Sequence, residues 1–347
     1  MDNESESGLR YVDPRHGTHA PTTGSPARRR GSVRRTTTVD ARRPAGMAAG
    51  LSLFGAGRDL VTQVDGTARV VARASTEVEI RYTGGPIVHA IRTDPPVDGA
   101  DALIGRVAST GFRAVIDAAV DASAGSVLYL LLDETPASVL VSGYAIGHAA
   151  SRGELDVQDL ARVRPPGPPL QIPDLCAGFR VGGVIQTNIE NEGRAPLVTG
   201  PVATPTTDPD DELGWHETTK LGANDMRRAR RHDLWRDEDG TLRVDAFFRD
   251  SHMASDGVET IVHEYTVEAV IDEERGVVVA CEATPRVLPW FECPEAAASA
   301  GRVAGMTLQG LRPRVRSELI GPTTCTHLND TLRELEDVLA LAPLLEH

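Results

Sequence analysis

The chain has 347 residues, 40% hydrophobic and 25% charged, the balance of an ordinary soluble globular protein rather than a disordered or fibrous one. A net charge of −14 excludes a general nucleic-acid binder, whose affinity comes from neutralising phosphates. No stretch approaches the roughly 18 apolar residues that span a membrane, and the start of the chain lacks the apolar core of a signal peptide. Four cysteines are too few for a disulfide scaffold at this length, so a reducing cytoplasm is the expected setting.

In chain order, residues 1–30 are polar, basic and rich in Gly, Pro and Thr, the composition of a disordered tail. The arginines of 28–43 read as a basic strand face joined to that tail. Ser32–Asp40, Thr67–Ala74, Glu77–Arg81 and Ile87–Ile91 are short, β-branched or alternating, and are predicted strands. Ala100–Val120 carries apolar residues at helical spacing, broken near Gly111, while the apolar run Val127–Leu132 fits either a helix or a strand. The stretch 152–213, with Pro-Pro-Gly-Pro-Pro at 165–169, reads as a connection with no room for a core of its own.

Beyond it, Met226–Trp235 is a predicted strand, and Leu242, Val244, Ala246, Phe248 and Asp250 share one face of the next. Ile261, His263, Tyr265, Val267, Ala269 and Ile271 line a third strand. Val277, Val279, Cys281 and Ala283 line a fourth, after a turn at Asp272–Gly276. Pro294–Arg302 and Leu308–Leu319 are predicted helices, and Leu328, Leu332, Leu335 and Leu339 mark a closing amphipathic helix.

The two halves resemble each other. Asp-Leu-Val-Thr at Asp59 and Asp-Leu-Trp-Arg at Asp233 are each followed at one distance by Asp-Gly-Thr. Gly-Arg-Val-Ala recurs at Gly105 and Gly301, and VRRTTTVD ending at Asp40 matches MRRARRHD ending at Asp233. Such collinear matches indicate an internal repeat. The expected architecture is α+β: two tandem copies of a strands-then-helices unit, 31–151 and 214–347, packed as a pseudo-dimer. In this alignment roughly 41–57 is an extra stretch of the first copy. The block after Gly125 is apolar, whereas the block after Gly321 is Pro-Thr-Thr-Cys-Thr-His-Leu-Asn-Asp, so the second copy is expected to carry the site.

Five residues of that copy carry chemistry. Asp250 and His263 fall on the apolar parity of neighbouring strands, where an ionisable group needs a partner. His252, between them, reads as a turn residue or a third member. Cys325 and His327 precede a helix whose N-terminal amides would favour a thiolate. Cys293 precedes a helix with Pro294 in its first turn. Cys281 and Cys176 read as packing residues. Phosphate-loop, GxGxxG, HExxH and GxSxG patterns are absent.

With Asp250 closing one strand, His263 opening the next, Cys293 after a proline-containing segment and Cys325-Thr326-His327-Leu328 leading into a helix, residues 215–335 resemble the family known as domain of unknown function 2889. Thr324 stands where that family more often has glycine. The bare first copy and the Asp-Leu-Cys-Ala-Gly-Phe segment resemble an actinobacterial-type subgroup. The resemblance implies membership and no established activity.

The functional expectation is a cytoplasmic enzyme acting on a small carbonyl compound, with one site in the second copy. In one form His263, Cys293, Cys325 and His327 bind a divalent transition metal, zinc by ligand type, for a hydrolytic or carbon–carbon lyase step. In another, Cys325 is the nucleophile of a hydrolase or transferase, His263 or His327 the base, and Asp250 orients the imidazole. A third is a non-enzymatic structural-metal scaffold or accessory subunit. A small-molecule substrate is the expected partner, with neither nucleic acid nor membrane, and an oligomer is compatible.

Overall fold

The computed structural model describes residues 16–82, 84–121, 123–155, 158–159, 173–193 and 195–346. The Pro-Pro-Gly-Pro-Pro run and the first 15 residues of the expected tail lie outside them. The fold is α+β, built on one nine-stranded antiparallel sheet. Its strands are β1 (Thr18–His19), β2 (Ser32–Arg42), β3 (Leu51–Thr62), β4 (Ala68–Tyr82), β5 (Pro86–Asp94), β6 (Met226–Arg236), β7 (Leu242–Met253), β8 (Glu259–Asp272) and β9 (Val277–Leu288). Their order across the sheet is β1-β9-β8-β7-β6-β2-β3-β4-β5, so each half supplies a meander of four strands and the first strands of the two meanders pair at the centre.

Each meander is followed by short helices. In the first half these are α1 (Phe112–Ala119), α2 (Val127–Asp133), α3 (Thr135–Val141) and α4 (Gly143–Ser151). α5 (Val184–Glu192) lies in the connection. The second half adds α6 (Leu311–Glu318), α7 (Thr326–Glu334) and α8 (Val338–Leu341). Among the described residues no helix is long and apolar enough to cross a membrane.

Several expectations need revision. β3 lies largely in the stretch 41–57 that the repeat alignment left unmatched; its Gly55 and Gly57 dilute the β-branched signal, and Gly57 is required because a Cβ there would stand 2.6 Å from Thr37 Cγ2 and 2.9 Å from Val127 Cγ1. Thr67–Ala74 and Glu77–Arg81 are one strand of 15 residues. Cys293–Val303 is a 3-10 segment rather than an α-helix, and Val127–Asp133 is a helix capped by Ser126. Residues 16–30 run against the sheet, with Gly17 N–H donating to Leu288 O, instead of trailing as a tail. The connection contributes Ile185, Ile189 and Val198 to the main core.

The arginines of β2 and β6 are not solvated. These strands are covered on both faces, so nearly every position of each is buried. On one face, Arg34 pairs with Asp233 and Arg227 with Asp40, beneath a segment carrying Trp215 and His216. On the helix-covered face, two apolar cores, one per half, flank an ionic seam. In that seam the guanidinium groups of Arg228, Arg230, Arg333 and Arg113 meet the carboxyl groups of Asp250, Glu134, Asp330, Glu334 and Asp133. Four cations face five acids, and burial raises the Glu334 carboxyl above the usual carboxylate range.

The like ion pairs of the two halves realign the internal similarity. Arg35 on β2 holds Asp59 on β3 through Nε and Nη2, at 2.6 and 2.7 Å, and Arg228 on β6 holds Asp250 on β7 in the same bidentate way at 2.9 Å. Asp59 therefore corresponds to Asp250, not to Asp233, and the two Asp-Gly-Thr turns stand in different hairpins. Gly105 likewise corresponds to Gly305, since each donates its N–H to the second or third residue of its half's last strand, Val88 and Val278.

Candidate metal centre

Asp250 ends the inward-facing run of β7, directly opposite His263 on β8, and a bulge follows at once between Asp250 and Ser251. The bulge breaks the alternation beside the pair, as bulges next to functional sites do. The third member comes from the helix layer. Cys325 is the N-cap residue of α7, and His327 in the first turn points back onto the sheet. Candidate ligand atoms of Asp250, His263 and His327 lie within 4.8 Å of one another. Asp250 is fully buried, whereas both histidines keep some exposure.

The rings of His263 and His327 stack with centroids 3.7 Å apart and planes 19° from parallel. His327 Nε2 is 3.6 Å from Asp250 Oδ2, and its Nδ1 is 3.8 Å from Cys325 Sγ. Burial, with Arg228 nearby, lowers His327 to about 3; burial and the His327 ring hold His263 well below the usual imidazole range. Both rings are thus neutral at physiological pH, the form that ligates metals. His263 Nδ1 is buried without a hydrogen-bond partner among the described residues. In their stacked pose the two in-plane lone pairs run nearly parallel, so a shared ion requires one ring to turn about χ2.

Of the five residues singled out from sequence, four are brought together here: Asp250, His263, Cys325 and His327. Cys325 approaches the trio from behind, on the Nδ1 side of His327, and is not one of the converging ligand atoms. Burial pushes its thiol up to about 12 despite the amides of α7, so the neutral thiol is the resting form. Cys293 also lies apart from the trio, buried against Trp290 and Gly178, whose missing side chain leaves room for its sulfur. Cys176 joins Cys293 and Cys325 around the buried Tyr265 hydroxyl, because Ala177 N–H donates to Thr324 O and docks this segment beside α7. His252 is not in a turn; it lies buried on β7.

Sequence reasoning missed Arg228, the immediate partner of Asp250, although it stands opposite Asp250 in register. Its Nη1 also reaches Glu134 of the first half at 2.9 Å and Asp330 of α7 at 3.0 Å. The Arg-rich run of β6 was the available signal, because a buried guanidinium must be paired.

The other half shows what the carboxylate pair does alone. Opposite Asp59 on β4 stands Ala72 where Asp250 faces His263, and Leu128 follows the capping Ser126 where His327 follows Cys325. The Arg–Asp pair is thus present in both halves, with imidazoles beside it in the second half where the first has Ala72 and Leu128. Two cavities of about 610 and 630 Å³ lie elsewhere, lined by Trp235, Arg243 and Cys281 and by Arg231, Phe247 and Arg286. Asp250 and Arg228 line a void of about 10 Å³.

Residues 226–341 match the family model described as Protein of unknown function (DUF2889). No curated protein matches the chain. The matched segment holds Asp250, His263, Cys293, Cys325 and His327, so it is this part of the chain that is similar to the DUF2889 family.

Proposed function

We propose that Asp250, His263 and His327 hold a divalent transition metal and that the ion serves a hydrolytic or carbon–carbon lyase step on a small carbonyl compound. The observation that carries the metal is the convergence of one carboxylate and two neutral imidazoles within 4.8 Å, with a buried ring nitrogen left open. Three protein ligands leave coordination positions for water or substrate, the arrangement of catalytic rather than structural sites. Zinc fits two imidazoles and a carboxylate, as does non-haem iron(II), whose sites use the same three side chains. A bound ion would polarise a carbonyl or generate hydroxide. Arg228 fixes the Asp250 carboxylate, and Cys325 sits against the second nitrogen of His327, the place from which an outer partner orients a metal-bound imidazole. The high thiol pKa weighs against Cys325 as a resting nucleophile.

A second reading, a structural metal that pins α7 to the sheet, is favoured by the small size, about 10 Å³, of the void that Asp250 lines. The mirrored meanders and repeated Arg–Asp pair support an internal duplication packed as a pseudo-dimer, in which one copy kept or gained the site. Four unpaired, buried thiols suit a reducing compartment. The test is elemental analysis and zinc or iron(II) titration of the full chain beside His263→Gln and His327→Gln. Loss of one bound ion per chain in both variants is expected; unchanged binding in either removes that ligand and the reading with it. Loss of fold along with the metal would favour the structural role over the catalytic one.

A further inference from the structure

A second pair of histidines plays no part in the centre described above. His252 lies on β7 two residues beyond Asp250 and is fully buried. His148, in the last turn of α4, packs against it with ring centroids 4.6 Å apart and planes at 53°. Tyr144, one turn earlier, closes a third side with its ring 5.2 Å from His252 and its hydroxyl donating to Val198 O at 3.0 Å. Three ring nitrogens here, Nδ1 of His148 and both of His252, are buried without a hydrogen-bond partner among the described residues.

An unpaired buried polar atom costs roughly 1–3 kcal/mol, and each such atom calls for a group that satisfies it, a water or an ion. Three in one place offer lone pairs or N–H groups to such a water or ion. Two imidazoles bound to one tetrahedral ion at nitrogen–metal distances of about 2.0–2.1 Å place their centroids roughly 5 Å apart. The His148–His252 pair already has nearly that separation, and its rings are not stacked as those of the first centre are. Glu154, beyond the end of α4, and Asp256, in the β7–β8 hairpin, lie close enough to bias both rings and supply anionic groups beside the site. Arg152 and Ser255 meanwhile hold Glu154 in place.

We propose that His148 and His252 form a second site for a divalent transition-metal ion such as zinc, joining α4 of the first half to the β7–β8 hairpin of the second. The experiment uses the full chain stripped with a chelator, reloaded with zinc, desalted and analysed for metal, beside His148→Gln, His252→Gln and His263→Gln. Two ions per chain are expected, with one lost in His148→Gln and in His252→Gln and the other lost in His263→Gln. A single ion that leaves with His148 but survives His263→Gln supports this site and removes the first centre. Zinc content untouched by His148→Gln and His252→Gln overturns it. Should those variants fail to fold, the imidazole ¹⁵N resonances of the unmutated protein decide. Zinc-dependent shifts at His148 and His252 support the site; resonances that do not move, the signature of a pair bridged by water alone, refute it.

Discussion

Replacing Asp250 by asparagine tests architecture and chemistry at once, because Asp59→Asn is its built-in control. Asp250 accepts Nε and Nη2 of Arg228 at 2.9 Å, and Arg228 is left with Glu134 and Asp330 when that carboxylate is neutralised. Removing one partner of a buried ion pair costs about 3–5 kcal/mol when the survivor is stranded. Arg228 is not stranded, so the lower end, about 3 kcal/mol, is expected. Arg35 has the same protection, since Asp337 remains at 2.7 Å after Asp59 is changed, and the same loss is expected there. In urea titrations of metal-free protein, about 3 kcal/mol with a slope of roughly 3 kcal/mol/M or more lowers each midpoint by up to about 1 M. Zinc affinity separates the two variants: Asp59→Asn retains it, and Asp250→Asn loses more than the roughly 10–100-fold that follows loss of an outer partner. Equal zinc affinity in Asp250→Asn and the unmutated chain would refute Asp250 as a ligand. A loss below about 1 kcal/mol in Asp59→Asn alone would refute the equivalence of the two pairs.

Cys325→Ser keeps a polar atom facing His327 Nδ1 and is expected to retain stoichiometric metal with affinity reduced about 10-fold or more, the effect of a disturbed outer partner; complete loss in elemental analysis would make the thiol a direct ligand. Glu334→Gln should change the urea midpoint less than Glu134→Gln, because burial raises the Glu334 carboxyl toward its protonated form, whereas Glu134→Gln takes one partner from both Arg228 and Arg230 and should cost about 3 kcal/mol. Acid should destabilise the fold early. His216, His252 and His327 titrate at about 3 and His232 at about 4 in the fold, chiefly through burial, against about 6.5 in the unfolded chain. Between those values the unfolded chain binds more protons, so this stability is fully present above pH 6.5 and is lost as pH falls toward 3, by up to about 1.4 kcal/mol per unit for each ring. His232, buried away from the centre, provides the check: His232→Asn should flatten the slope of urea midpoint against pH, and an unchanged slope would mean that ring is charged in the fold.

Much of the second half was readable because its strands alternate cleanly. Period-two parity put Asp250 and His263 inward on adjacent strands, and antiparallel pairing then set them opposite each other. The N-cap position of Cys325 was equally legible from the residues before α7. The first half was harder, since β3 spends glycines where α2 presses on it and its flanks resemble a loop. Repeat matching also misled there: Asp-Gly-Thr recurs because tight hairpins favour those residues, and it therefore marks two different turns rather than one shared ancestor position.

Local pattern alone determined which side chains face inward, where helices begin and which acids and imidazoles are available. Tertiary structure decided who meets whom. The pairing of β2 with β6 brings Glu134 of one half onto Arg228 of the other, and the fold of α7 over β7 and β8 lays His327 on His263 while leaving Cys293 to one side. Those choices depend on contacts between residues up to about two hundred positions apart, whose energies are set by burial and charge balance and leave no periodic trace along the chain.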